Sequence, residues 1–542
     1  MTTSAHQPIK KRNLNLNMKS LCKIFKSVWG RVLIPCLALS CLTASYALRT
    51  GKAAAEGVAA DSGNEASGDY LDTSLPREIK TAPYEGERYQ VEIPATIDLV
   101  APAERAINVL TSALEPRWDY EQYFVLYIDV NPPHFEMGHG GLLNINAKWL
   151  EALPMLRSMT GSVHFTPQAA INWYRLTGNE SALDLGRGLA NYLSRHGRMI
   201  DPDTGEPLMD HFAHLSHSLT ANTAYAIGAK DKEMIKWARR GFEYQIRTRD
   251  PNGTGILISD PTCSCYPADM IDVGILLSRA GEGDYWDRVD GWVRNTLLDL
   301  QIVEEDVERV KAMPKKMKDL PPGNIQLADG ADRVLGGFLH SINPQNRNRA
   351  IGCCNGNCSR ALYLVWDSIM DTGGRDLRVN LLMNRASAVA DLHSYLPYEG
   401  RVVIDVKKSR KNVLVRIPEW TDYNKIECRV EGSSRSFGWD GNYINLGSVG
   451  KGGNVEVHFP LRTRTLPMDY LTLIPGVKYS PENIMAGRIL KKTPVAVTLK
   501  GNTVIDIVPN PGYPMERHAK YRAENIDMKT VERFVTEESY IW

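Results

Sequence analysis

The chain has 542 residues, too many for one small domain, and is 43% hydrophobic and 23% charged, the balance of a globular protein. Lys and Arg together number 64 against 63 Asp and Glu, a formal net charge of +1. That excludes a strong overall field of the kind that draws a protein to nucleic acid or to an anionic surface.

The first 47 residues stand apart. Lys10, Arg12, Lys19, Lys23, Lys26 and Arg31 precede an apolar run over 32–44, and Ser45-Tyr46-Ala47 follows as a cleavage site. This order is that of a secretory signal. Residues 1–47 are expected to be a signal peptide or anchor, and the protein to be secreted or periplasmic, touching membrane only through this segment. Met18 would start a more ordinary signal, and Cys41 after Leu37-Ala-Leu-Ser40 faintly resembles a lipidation site. Residues 48–80, rich in Ala, Gly, Ser, Asp and Glu, read as a flexible linker. No later segment reads as membrane-spanning.

From 81 to 395 the pattern is mainly helical. Apolar residues recur at helical spacing over 101–114, 142–159, 166–177, 183–193, 216–227, 233–248, 269–280, 285–303, 358–370 and 380–392. Pro154 is expected to kink the second of these or mark its first turn. So many helices with few strands between them predict an (α/α) barrel, whose loops and helix ends can bind small molecules. After Pro397 the period becomes two: 401–406, 412–417, 427–430, 443–446 and 454–459 alternate, with Asp440-Gly441 and Gly452-Gly453 as turns. Residues 396–542 are therefore expected to be an antiparallel β-sandwich domain with a C-terminal extension.

Cysteine usage carries the chemistry. Cys263-Ser-Cys265 and Cys353-Cys354 are two tight pairs, with Cys358 close behind. Cys-x-Cys puts two side chains on one side of an extended segment. Cys353 and Cys354 can both ligate only if the backbone turns sharply, which Gly352 and Gly356 permit. A thiolate set at Cys263, Cys265, Cys353 and Cys354 selects a soft or borderline ion, most naturally Zn2+, with Cys358 or an Asp or His as an alternative ligand. A disulfide between the pairs is the competing reading. A metal-activated thiolate is also a nucleophile, which would need a proton donor. Glu243 and Asp260 are the carboxyl groups nearest the first pair in sequence.

Histidines supply the remaining candidates. His211, His214 and His217 fall at i, i+3 and i+6, which on a helix makes neighbours of successive members. They suit sugar hydroxyls, a second metal, or merely a polar helix start. His139 lies in His134-Phe-Glu-Met-Gly-His139-Gly-Gly141, a Gly-rich stretch that could line a pocket or form a tight turn.

Ile351-Gly-Cys-Cys-Asn-Gly-Asn-Cys-Ser-Arg360 resembles the Cys-Cys-x-x-Asn-x-x-Arg block of glycoside hydrolase family 127, the β-L-arabinofuranosidases and their relatives. Residues 281–295 resemble the family's Gly-Asp-x-x-Tyr helix, Asn380-Leu-Leu-Met383 its strand entering the sandwich, and Val415-Arg-Ile-Pro-Glu-Trp420 its Leu-Arg-Ile-Pro-x-Trp strand. The resemblance spans about 100–480. It implies an (α/α)6 barrel followed by a sandwich, a zinc held by a Glu-x-Cys motif and a Cys-Cys pair, and the first Cys of that pair as nucleophile. Carried over, Cys353 is the nucleophile, Cys354 and Cys265 are zinc ligands, and His214 or His217 contacts substrate. Cys263 stands where the family has its ligand Glu, and 253–261 lacks the family's Gly-Glu acid/base element.

The resulting expectation is an exported retaining glycoside hydrolase that binds oligo- or polysaccharide and no nucleic acid. Substrate-binding residues would be His139, His214 and His217. Two other classes compete: a non-catalytic glycan-binding or structural protein with an all-sulfur zinc site, and a polysaccharide lyase using His and Tyr residues around 211–225.

Overall fold

The computed structural model describes residues 85–537 apart from 116–120, 138–141, 162–199, 202, 207, 209–211, 258–263, 317–318, 342–347 and 475–489. The described residues all belong to one compact unit, Lys80–Trp542. The expected signal segment, the whole linker, the helices over 166–177 and 183–193, Cys263, Asp260 and His139 lie outside the described residues. No described helix is long and apolar enough to cross a membrane.

Both helices and sheets build the unit. The longer described helices are α1 (Val100–Ser112), α2 (Leu142–Thr160), α3 (Phe212–Ala229), α4 (Lys232–Arg249), α5 (Cys265–Arg279), α6 (Trp286–Trp292), α7 (Glu304–Ala312) and α8 (Gly352–Ser368). Helix α4 shows how sequence makes a surface helix. Asp231 caps it by accepting from Met234 N, and Glu233 opens and Arg247 and Arg249 close it in accord with the helix dipole. Its Met234, Ile235, Trp237, Ala238, Gly241, Phe242 and Gln245 form one buried stripe. Helices α5 and α8 are instead buried nearly all round, the mark of central helices. Helix α8 packs on α2 and α5, and α3 packs on α5.

Pro154 sits inside α2, which runs on past it to Thr160. The segment 380–392 is not helical. It holds strands, because Ala390–Ser394 is buried on every residue and its two-residue period is hidden. Asn380-Leu-Leu-Met383 is likewise not the entering strand, which ends just before it at Val379.

The strands in chain order begin with β1 (Glu87–Pro94), then β2 (Leu114–Glu115), β3 (Glu121–Tyr127), β4 (His134–Met137), β5 (Asn324–Gln326) and β6 (Arg349–Ile351). Strands β2 to β5 form one antiparallel sheet in that order, and β6 adds to β3. In this sheet, which falls in the region expected to be helical, β2, β3 and β4 follow one another closely, whereas β5 and β6 join from far along the chain, beyond any hairpin signal.

Downstream, Arg385–Ala386, Ala390–Ser394, Arg401–Val406, Asn454–His458, Glu427–Val430 and Ser433–Ser434 make a six-stranded sheet. Met370–Asp371, Asp376–Val379, Asn412–Arg416, Tyr443–Asn445 and Gly438–Asp440 make a five-stranded one. Val402, Ile404 and Val406 of the first and Val413 and Val415 of the second enter one hydrophobic core, which the helices share. A smaller core lies under the long hairpin Thr463–Leu473 and Leu490–Lys500. Finally β1 pairs antiparallel with Met528–Val535, the last described strand, from Glu87↔Val535 to Pro94↔Met528.

Arg416 ties helices to sheet. It is 3% exposed and bonds both Asp284 and Asp287 at about 3 Å, where α6 begins. Asp284 thus anchors the sheet while also accepting from Trp286 N.

Candidate functional site

Three of the cysteines, Cys265, Cys353 and Cys354, meet at two helix starts. Cys265 is the first residue of α5, and Cys353 and Cys354 are the second and third of α8. Extended Ile351 passes straight into the helix, so a helical first turn, rather than a sharp loop, presents the adjacent cysteines. The N-terminal ends of both helices bring their positive dipole ends to the sulfurs.

Cys265 Sγ lies 3.9 Å from Cys354 Sγ, and Cys353 Sγ lies 3.9 Å from Cys354 Sγ. All three sulfurs fall within 4.8 Å of one another. Tetrahedral zinc with Zn–S bonds of about 2.3 Å needs sulfurs about 3.8 Å apart. The donor set and its spacing therefore fit that ion. These distances and the free state of Cys265, Cys353 and Cys354 exclude a disulfide among them. Cys265 and Cys354 are buried, whereas Cys353 is half-buried.

Cys358 is not part of the group. Its thiol donates to Ser264 O at 3.2 Å, and burial pushes it well above the usual thiol range. It stays a neutral thiol that fastens α8 to the entry of α5.

A charged relay runs up to the sulfurs. Lys148 Nζ lies 4.0 Å from Cys265 Sγ and 2.7 Å from His217 Nε2. His217 Nδ1 is 2.6 Å from Asp269, which also accepts from Ser216 Oγ at 2.6 Å and Asn357 Nδ2 at 2.7 Å. Burial works against the charge on Lys148, but Cys265, Asp269, Cys353 and Cys354 outweigh it and raise its affinity for the proton. Burial likewise opposes ionisation of Asp269, yet His217, Lys148 and Asn357 hold its carboxyl below the usual range. Both ring nitrogens of His217 are thus engaged. His214 is on α3 as expected, and its side chain lies outside the described residues.

Motif residues beyond the cysteines hold the frame. Asn357 donates to Cys265 O as well as to Asp269. Arg360 reaches Asn357 Oδ1 at 2.8 Å and Glu151 at 2.8 Å. Helices α2, α5 and α8 are thereby locked around the sulfurs. Gly356 allows the closest approach: a Cβ there would come 2.8 Å from Lys148 Cβ and Trp149 Cδ1.

Glu243 is not brought to the cysteines. It accepts from Arg239 at 2.8 Å and Tyr285 at 2.9 Å. Its neighbour Phe242 and Tyr285 both pack at Gly274, nine residues along α5 from Cys265 and so about 13 Å down the helix axis. Burial resists its ionisation, but those two hydrogen bonds prevail and keep it a carboxylate. Sequence reading missed Lys148 and Asp269. Asp269 had a signal, since it is four residues from Cys265 as Asn357 is from Cys353. Lys148 had none.

No protein-family profile matches the chain, and no curated protein does. Among solved structures it is similar to a GH127 β-arabinofuranosidase, with 16% identity, 65% of this chain and 59% of that one covered, and a TM-score of 0.43. A second is a glycoside hydrolase with 14% identity, coverage of 62% and 59%, and a TM-score of 0.39. A third is the GH127 β-L-arabinofuranosidase of Geobacillus stearothermophilus T6, with 15% identity, coverage of 62% and 57%, and a TM-score of 0.36. The chain is similar to glycoside hydrolases. It spans less than two thirds of the length of these three structures.

Proposed function

We propose that the protein is an exported retaining glycoside hydrolase that uses Cys353 as its nucleophile. One observation carries this reading: three sulfurs converge at two helix N-termini, and Cys353 alone of the three is not fully buried. In this reading residues 81–395 are an (α/α)6 barrel, 396–542 a β-sandwich domain with its extension, and the substrate is an L-arabinofuranoside or a related sugar of a complex polysaccharide.

Cys265, Cys353 and Cys354, with Cys263 as the fourth ligand, would hold a zinc ion, whose charge keeps the sulfurs deprotonated. Cys353 Sγ attacks the anomeric carbon as the bond from that carbon to the leaving oxygen breaks. The carboxyl of Asp260, five residues before Cys265, protonates the leaving oxygen. Its carboxylate then takes a proton from the water that displaces the sulfur, so one glycoside and one water give a free sugar, a hemiacetal, and one alcohol with net retention. His217 and Asp269 hold the Lys148 ammonium beside the sulfurs throughout. His139 and His214 are assigned to substrate hydroxyls.

The test is hydrolysis of p-nitrophenyl β-L-arabinofuranoside and of a panel of aryl pyranosides. Cys353→Ala should abolish turnover with the fold intact, and turnover by that variant would sink the nucleophile. An unsaturated sugar end among the products would instead mark a lyase.

A further inference from the structure

The cysteine helix α8 is fed by a sheet whose polar face has no role in the reading above. Strand register places its side chains in one row. His134 is opposite Gln326, Tyr127 opposite His134, and Arg349 opposite Tyr127. The row continues through the antiparallel bridge Leu339↔Ala350, where His340 N donates to Arg349 O, and reaches Ser264, whose N donates to His340 O. Directly opposed residues share a face of a sheet. Gln326, His134, Tyr127, Arg349 and His340 therefore stand side by side, with neighbouring strands about 4.8 Å apart. One end of the row adjoins Cys265. Arg349 precedes Cys353 by four residues, through Ile351 and Gly352.

The alternate residues Leu126, Phe135, Leu339 and Ala350 are at most 2% exposed and belong to the core. The row itself lies on the opposite, polar face. Tyr127 and His134 stack with centroids 4.4 Å apart and planes 11° from parallel. The Tyr127 hydroxyl donates to Glu136 at 3.1 Å, and Arg349 bonds the same hydroxyl. Several polar atoms on this face are buried without a hydrogen-bond partner: both Gln326 amide atoms, Asn324 Oδ1, Arg349 Nε and, beside the row, Asn348 Oδ1. Folded chains rarely keep such a concentration of unpartnered groups on one sheet.

We propose that this row is a recognition platform for a neutral sugar unit. The residues fit that ligand for three reasons. Amides at Gln326 and Asn324 both donate and accept, as each sugar hydroxyl does. Arg349 and Glu136 offset each other in charge, so the face does not select an anion. The row starts at the sulfur site, so a sugar lying along it reaches toward Cys353. The identity of the ligand as a sugar rests on the glycosidase reading, whereas the platform itself rests on register and unpartnered atoms.

The test uses the full chain carrying Cys353→Ala, so that binding is read without turnover. Saturation-transfer NMR and calorimetry are run with p-nitrophenyl β-L-arabinofuranoside, β-D-galactopyranoside and β-D-glucopyranoside. At least one should bind, and adding Gln326→Leu or Arg349→Met should weaken it at least about tenfold. Gln326→Leu should also raise the unfolding midpoint, because it replaces an unpartnered buried amide with an apolar isostere. A residue of purely structural importance would lower it. Unchanged binding in both variants, a lowered midpoint in Gln326→Leu, or no binding of any probe overturns the platform. If binding depends on the row but the wild-type chain turns over no probe, the hydrolase reading fails and the platform stands. If wild-type turnover is intact and Gln326→Leu leaves KM unchanged, the platform fails and the hydrolase reading stands.

Discussion

The Lys148 ammonium lies 2.7 Å from Nε2 of His217, and this contact fixes the tautomer of the imidazole. An ammonium can only donate, so Nε2 accepts and Nδ1 carries the proton that it gives to Asp269. A fully buried carboxylate thus holds a lysine in place beside three sulfurs through one ring. Lys148→Met should leave the thiols of the metal-free protein harder to deprotonate. A cation within reach of a sulfur typically shifts its pKa by about one unit or more. Alkylation of the chelator-treated variant by iodoacetamide at pH 7 should slow about tenfold, with mass spectrometry locating the label at Cys265, Cys353 and Cys354. An unchanged rate would show that the helix ends alone set thiol reactivity.

Metal content offers an independent check. The purified wild-type chain should carry about one zinc per molecule, as four sulfur ligands close one tetrahedral site. Cys265→Ala and Cys354→Ala should lose it, measured by plasma mass spectrometry after gel filtration. Cys358→Ala should keep it, because that thiol is bonded to Ser264 O instead. Loss of zinc in all three would contradict the separation between ligand and structural cysteines.

His518 and Asp299 predict a pH window far from the sulfurs. His518 Nδ1 is 2.8 Å from Val504 O and Nε2 is 2.9 Å from Asp299 Oδ2, two acceptors that require a doubly protonated ring. Burial disfavours that charge, but Asp299 outweighs it and raises the histidine. Burial also opposes charge on Asp299, and His518 reverses this to lower the acid. The histidine's contribution is complete below its unfolded value of about 6.5 and is lost as pH rises through the raised folded value. The aspartate's is present above about 3.9 and is lost as pH falls through its lowered folded value. His518→Gln should cost about 1–3 kcal/mol at pH 5, and the gap to wild type should close toward pH 9 in urea titrations. A gap independent of pH would refute the charged pair.

Gly356→Ala tests the helix crossing. The new methyl would meet Lys148 Cβ and Trp149 Cδ1 at 2.8 Å, and Trp149 is already pinned by its 2.7 Å bond to Gly352 O. Overpacking of this kind costs about 1–3 kcal/mol, read as a lower urea midpoint. A stability equal to wild type would mean that α2 and α8 separate freely.

How much of this was legible in the sequence differs residue by residue. The two cysteine groups were visible because thiol chemistry concentrates in few positions, and three of the four sulfurs do meet. Helices such as α4 and α5 were legible from apolar periodicity. The strand Ala390–Ser394 was not, because burial on both faces erases the alternation that marks a strand. The sheet β2 to β6 was hidden for another reason: Asn324–Gln326 pairs with a strand nearly two hundred positions earlier in the chain, beyond any local signal. Glu243 was chosen as a proton donor by nearness along the chain, and a helix axis carries it away from the sulfurs. Lys148 is an ordinary lysine until α2 crosses α8 at a glycine.

The pairing of β1 with the last described strand has a temporal consequence. Residue 87 is synthesised some four hundred and fifty positions before its partner at 535. At about 5–20 residues per second the early strand waits tens of seconds with its edge unsatisfied. The molecule can gather its helices and sheets while it is still being made, but it can only be fastened shut once residue 535 has followed them out of the ribosome.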